Sequence, residues 1–224
     1  GGRSSLSMTM KSRKYNKNGI GIISEATVDS GETGTITYLT ANPNFKSVRG
    51  LGITTGDANK VDPAQKQSTS MCLAPGSLTD DPKRVGFIAV QNSQSTFMRD
   101  AVTLPVRTGM ENMLAKRTGS TFAKACELDG VVKSVTDKGI TIEYVDGTTE
   151  SAVLGRVFGR WAGDILPHDI ITTLKEGDKV KKGDIYCYNQ LYFQPDRFNK
   201  NNVVFKNGIL ARTVMVECNE VFED

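Results

Sequence analysis

Apolar and polar side chains alternate most clearly between Gly130 and Val145. Gly130-Val-Val-Lys-Ser-Val is followed by Asp137-Lys-Gly139, after which Ile140, Ile142 and Tyr144 alternate with Thr141, Glu143 and Val145. A period of two over such short runs predicts a β-hairpin with its turn at 137–139. Asp146-Gly147 supplies the residues of a tight closing turn, because glycine accepts positive φ. A second β module is expected from about Ile165 to Phe193, with Ile170-Ile171 ahead of Gly177-Asp-Lys-Val-Lys-Lys-Gly183-Asp and the strand Ile185-Tyr-Cys-Tyr after it. A closing strand is expected from Ile209 to Cys218, led in by Asn207-Gly208. No segment sustains the 3.6-residue period over four turns, so helix is expected to be the minority. Thr55–Ser70 is polar and nearly free of large apolar side chains, and Gln194–Asn202 is a second polar connection; both read as surface segments.

Composition adds bounds rather than identity. At 224 residues and 38% hydrophobic side chains the chain can bury a core, as one large or two small domains. No apolar run approaches a membrane span and the first residues show no apolar core followed by a cleavage site, so no membrane partner is expected and a cytoplasmic location is. Cys72, Cys126, Cys187 and Cys218 include no Cys-x-x-Cys pair, which argues against a zinc ribbon or redox motif and for free, mostly buried thiols. His168 follows Pro167 and has no partners for metal binding or nucleophilic catalysis in its neighbourhood; it reads as a loop histidine.

Charge matters through its distribution. The net value is only +3, yet Arg3, Lys11, Arg13, Lys14 and Lys17 all precede the first carboxylate, Glu25. Lys-Ser-Arg-Lys-Tyr-Asn-Lys-Asn-Gly mixes cations with an aromatic and flexible polar residues. Such a mixture either solvates an arm or holds phosphates and stacks bases.

Two resemblances follow from motifs. Gly177-Asp-Lys-Val-Lys-Lys-Gly-Asp resembles the turn of biotinyl and lipoyl carrier domains, although no modifiable lysine in the carrier context accompanies it. It therefore points to a barrel-sandwich type of β module. More extensively, Asp81-Pro-Lys-Arg84, a Gln-rich helix turn through Gln91 and Gln94, and Arg107-Thr-Gly-Met-Glu111 stand in the order found in the β subunit of multisubunit DNA-directed RNA polymerases. Ala125–Gly147 is similar to that family's Asp-Gly-x-Val hairpin, Gly177–Asp184 to its next β module, and Phe222-Glu223-Asp224 to the end of its Glu-Asp strand, with Val221 in place of asparagine. Upstream, Leu6–Ile36 resembles the fork loop and the edge of the rifampicin pocket. That stretch departs from the family at Ser4-Ser5, at Met10-Lys-Ser-Arg13 and at Thr40-Ala-Asn-Pro-Asn44, and the Gln-rich turn carries Ser93. The pattern fits a highly diverged polymerase of the large-phage, split-subunit type.

This resemblance implies a mainly β fold with minor α, comprising part of a double-psi β-barrel and a barrel-sandwich-type module with irregular loops. It divides the chain into a fork-loop and rifampicin-pocket-like segment (1–50), a polar excursion (51–80), an Asp-x-x-Arg and Thr-Gly-Met-Glu segment of the catalytic barrel (81–124), a β sandwich or barrel module (125–193) and a returning barrel strand (194–224). It implies that Arg84 holds the triphosphate of an incoming nucleotide. Glu223 and Asp224 would border the second Mg2+ through outer-sphere contacts, the metals being held mainly by a partner β′ subunit. Asn92 and Gln94 would lie near the nucleotide and the RNA end, and Arg3, Lys11, Arg13, Lys14 and Lys17 near downstream DNA. The expected partners are the remaining polymerase subunits, template DNA, nascent RNA and nucleoside triphosphates, with the chain inactive alone. Without the resemblance, Arg84 reads as a surface salt bridge to Asp81 and the terminal acids as a solvated tail. A phage structural β domain or a carrier-like binding module are the competing classes.

Overall fold

The computed structural model describes residues 5–47, 49–52, 56–92, 98, 102–119, 122–161, 163–199 and 202–216. The described fold is mainly β, with four short helices: α1 (Met10–Arg13), α2 (Thr69–Leu73), α3 (Pro82–Gln91) and α4 (Met110–Arg117). The strands are β1 (Ala123–Ala125), β2 (Gly130–Thr136), β3 (Gly139–Tyr144), β4 (Thr149–Val153), β5 (Gly155–Trp161), β6 (Asp164–Ile171), β7 (Lys179–Val180), β8 (Ile185–Asn189), β9 (Phe193–Pro195) and β10 (Val203–Phe205). They form two four-stranded antiparallel sheets, ordered β1-β8-β6-β5 and β4-β3-β2-β7, and a separate β9–β10 hairpin.

The hairpin expected at 130–145 is β2–β3. Thr136 faces Gly139, leaving Asp137-Lys138 as the turn, and Thr136 Oγ1 accepts the amides of Lys138 (3.3 Å) and Gly139 (3.1 Å). A register shift between Val132 and Ser134 adds one residue to β2, a bulge that increases local twist. Gly147 takes φ 83° in the turn that follows, where Asp146 Oδ1 accepts the Thr148 amide at 2.9 Å.

The two sheets share one core. Val132, Ile140, Ile142, Tyr144 and Val180 of the second sheet pack with Ile170, Tyr186 and Cys187 of the first, together with Cys126. The Gly177–Asp184 run joins them. Gly177 and Gly183 both adopt φ 87°, while Asp178 Oδ2 accepts the Lys175 amide (2.7 Å) and Asp184 Oδ2 the Lys181 amide (2.8 Å). At the edge where β1 approaches β4, Lys124 Nζ lies 2.8 Å from Glu150 Oε1 and donates to the Ser151 carbonyl at 3.3 Å. Tyr144 OH donates to Glu150 from below and accepts the Glu127 amide at 3.2 Å. A second core packs Ala115 of α4 against Ala123, Tyr188, Phe193 and Val203, and a third packs Val85 and Ala89 of α3 against Met71 and Ala26.

Three expectations require correction. His168 is a core residue of β6, only 6% exposed, with Asn189 Nδ2 2.9 Å from its Nδ1. Pro167 beside it is tolerated because β8 pairs β6 only at Ile170 and Ile171, leaving that edge without donors to lose. Gly159, diagonal to it on β5, makes room for the ring, since a Cβ there would come within 2.8 Å of His168 Nε2. The closing strand does not form over the described residues 209–216, which join no ladder and are exposed throughout. The polar connection begins only at Asp196, because Gln194 and Pro195 pair with Val204 and Val203 in the β9–β10 hairpin.

The edge clasp generates a pH dependence. Burial pushes the Glu150 carboxyl up, but the Lys124 and Tyr144 hydrogen bonds pull it further down, and it lies below its ordinary value. A carboxylate lowered on folding stabilises the native state above its unfolded pKa and loses that contribution as pH falls through the folded value. Glu150→Gln is therefore expected to destabilise the chain by about 1–3 kcal/mol at neutral pH. In urea melts from pH 7 down to pH 3, the gap between wild type and variant should close.

Candidate functional site

Residues 5–40 fold with little regular ladder, so side chains bonded to backbone carbonyls hold them. Thr9 caps α1, and Arg13 at its end donates to the carbonyls of Ser5 (2.6 Å) and Gly31. Tyr15 OH donates to the Ile23 carbonyl. Burial, reinforced by the nearby Glu25 carboxylate, pushes the Tyr15 phenol up and keeps its proton in place. Gly34 takes φ 78° where a Cβ would lie 2.3 Å from the Arg13 carbonyl oxygen, and its amide donates to Thr27 Oγ1 at 2.7 Å. Ser24 runs beside Tyr38, with its amide 2.8 Å from the Tyr38 carbonyl.

Helix α3 is laid against this scaffold. Asp81 Oδ1 accepts the Lys83 amide at 3.1 Å and Pro82 occupies the first turn, where its missing donor is harmless. Gly86 permits close approach, because a Cβ there would stand 3.0 Å from the Glu25 carbonyl oxygen. The result is a cleft of about 590 Å³ lined by, among others, Arg13, Lys14, Tyr15, Glu25, Thr27 and Lys83. Three cations from two separated stretches face one carboxylate. A cleft of that balance attracts anions and focuses their field.

The structure thus brings part of the basic arm to the start of the helix that carries Arg84. Arg84 itself is exposed, follows Lys83, and has its guanidinium carbon 6.0 Å from the centre of the Phe87 ring. No ion pair joins it to Asp81 among the described residues, since Asp81 caps the helix instead. Lys11, Lys14 and Lys17 are exposed, whereas Arg13 is half-buried and two of its donors are engaged by carbonyls. Its Nε is buried and has no hydrogen-bond partner. Asn92 is the exposed residue that closes α3, its amide donating to the Ile88 carbonyl at 2.8 Å. Arg3, Gln94, Glu223 and Asp224 lie outside the described residues, so the convergence of Arg84 with the acidic pair rests on sequence alone.

The Thr108-Gly-Met-Glu motif has a local structural role. Glu111 is buried and accepts the Gly109 amide at 2.9 Å and the Thr108 amide at 3.3 Å, closing the first turn of α4. Thr108 Oγ1 donates to the Cys72 carbonyl (2.6 Å), and Asn207 Nδ2 to the Leu73 carbonyl (2.8 Å), which ties the end of α2 to two distant segments.

Sequence reasoning missed the pairing of Arg107 with Asp196. Their ion pair is 2.5 Å long and the Asp196 side chain is 1% exposed. Burial pushes the Asp196 carboxyl up, while Arg107 and the amides of Phe198 and Asn199 outweigh it and hold the group below its ordinary value. The signal available was an aspartate placed two residues ahead of an aromatic in a polar connection, an Asx-turn pattern.

Thiol chemistry is not offered by the sandwich. Burial first of all pushes Cys126 up to about 12 and Cys187 up to about 11. Among the described residues no group of His, Cys, Asp and Glu could hold a metal ion, and no helix is long and apolar enough to cross a membrane. No family model matches the sequence, and no curated protein matches it.

The close seating of α3 is open to a direct check. Gly86→Val places a branched side chain against the Glu25 carbonyl and is expected to destabilise the chain by about 1–3 kcal/mol, read as a lower urea midpoint with an unchanged slope.

Proposed function

We propose that this chain is a piece of the β subunit of a DNA-dependent RNA polymerase, of the diverged split-subunit kind, that positions nucleoside triphosphate, RNA end and downstream DNA for template-directed RNA synthesis. The observation that carries the reading is the order of the polymerase-like landmarks from Asp81 to Asp224, combined with the cationic cleft. Arm and helix, which the resemblance assigns to DNA and nucleotide, border the same cavity. The two-sheet sandwich built around Gly177–Asp184 accords with the barrel-sandwich module expected there.

In such an enzyme the chain's own residues bind and orient. Lys14 and Lys83 offer point charges to phosphate oxygens, and Arg84 a planar fork suited to bidentate contact. Contacts of this kind are blind to sequence and weaken steeply with salt. When bound, Mg2+ would supply charge stabilisation to phosphoryl transfer. On this reading the metal would be held mainly by a β′-like partner, with Glu223 and Asp224, which lie outside the described residues, as outer-sphere contacts. The exposed, apolar stretch 209–216 is consistent with a chain that functions within an assembly. We place its action in the cytoplasm, where template and nucleotides are.

Arg84→Ala in the assembled enzyme is expected to raise the apparent KM for nucleotides roughly tenfold with subunit stoichiometry unchanged. An unchanged KM removes Arg84 from the triphosphate. Mass spectrometry of chains that co-purify with this one should identify a protein containing Asp-x-Asp-Gly-Asp; its absence from an active preparation defeats the polymerase reading as a whole.

A further inference from the structure

The β9–β10 loop carries features that neither the cleft nor the polymerase landmarks account for. From Gln194 to Phe205 the only carboxylate is Asp196, while Arg197, Phe198, Asn199, Lys200, Asn201 and Asn202 follow it. Asp196 is neutralised within the fold by Arg107 at 2.5 Å, and its Oδ1 accepts the Phe198 amide at 2.7 Å. The loop is closed further by the Asp196 amide on the Asn202 carbonyl (2.9 Å) and the Asn202 amide on the Asn199 carbonyl (2.9 Å). A buried ion pair thus fixes the base of the loop.

Phe198 is the outcome of that anchoring. The residue is 71% exposed, and the Arg107 guanidinium carbon stands 4.9 Å from its ring centre. One face is backed by a cation and the rest is open to solvent, with exposed Arg197 next to it. Held in this way, the ring presents its open side to any planar group that comes to cover it. A preorganised ring loses little entropy when that happens. The sequence repeats the same combination in the basic arm, where Tyr15-Asn16-Lys17-Asn18 matches Phe198-Asn199-Lys200-Asn201 residue for residue apart from the aromatic type.

We propose that the β9–β10 loop is a stacking site for single-stranded nucleic acid, in which Phe198, backed by Arg107, takes a nucleobase and Arg197 its adjoining phosphate. Aromatic stacking on successive bases beside cations is how sequence-tolerant single-strand binders work. The site does not depend on the polymerase reading, because its geometry is local to the loop and Arg107. Single-stranded DNA and RNA share the chemistry that would be recognised.

The test is fluorescence anisotropy of the full chain with labelled dT15, with U15, and with an abasic deoxyribose-phosphate 15-mer. Wild type should bind dT15 or U15 more tightly than the abasic strand, and the preferred sugar identifies the source. Phe198→Ala should weaken binding to the base-bearing strands about tenfold and leave the abasic strand unaffected, while Phe198→Tyr retains affinity. Phe198 lies on an exposed loop, so an unchanged melting temperature will accompany a genuine loss of stacking. Equal binding by wild type and Phe198→Ala, or equal binding of dT15, U15 and the abasic strand, overturns the proposal. Loss in Lys14→Ala and Lys83→Ala with none in Phe198→Ala also overturns it while leaving the cleft, and the polymerase reading, standing.

Discussion

A chain that passes from one sheet of a sandwich to the other has to do so without leaving backbone donors and acceptors unpaired beside the core. The Gly177–Asp184 run meets that constraint by using one device twice. In each turn a glycine in the left-handed region redirects the chain, and the aspartate after it accepts the amide three residues back. The backbone groups that remain are matched to both sheets: Gly177 and Asp178 exchange hydrogen bonds with Val132 at 2.9 Å, and Gly183 and Asp184 with Cys126 at 2.8 and 2.9 Å. β7 is only two residues long because its task is to span that gap, not to extend a sheet. Everything packed on the shared core, from Ile142 to Tyr186, depends on this crossing.

The same logic explains which parts of the fold were legible. The β2–β3 hairpin and the Gly-Asp turns are local: their apolar period and turn residues lie within a few positions of one another, so the sequence displays them directly. His168 was not legible in this way. Its burial depends on Gly159 across the ribbon and Asn189 on another strand, while the adjacent proline argued for a loop. Asp81 could be read as a partner for Arg84 or as a helix cap, and both use the same spacing; the cap prevails because the first-turn amide has no other acceptor. Arg107 and Asp196 are far apart in sequence, and nothing in either neighbourhood announces the other.

Residues 5–40 show the opposite extreme. Their structure rests on polar side chains reaching carbonyls, as Arg13 does at Ser5 and Gly31, and on glycines whose lack of Cβ lets segments touch. Such contacts have no period. Composition alone marked this region as basic, and the sequence could place its cations near phosphate in function but not in space. The cleft against α3 emerges only once Gly86 has admitted the Glu25–Ala26 backbone. Of the cations in the arm, Arg13 then differs from Lys14: its guanidinium is partly committed to holding the cleft's wall, which leaves the exposed lysine as the group free to meet a ligand.

The stretch 209–216 extends the argument about pairing to its other limit. Val214, Met215 and Val216 are 79%, 97% and 77% exposed, and consecutive residues of an extended chain point to opposite faces. An amphipathic edge strand would show apolar groups on one face only; this run shows them on both, the pattern of a strand covered from two sides. Docking such a segment onto the outer edge of its own sandwich would still leave one face in water. On the polymerase reading its place is therefore inside a sheet completed by another polypeptide segment, where main-chain hydrogen bonds and two layers of side chains bury it together.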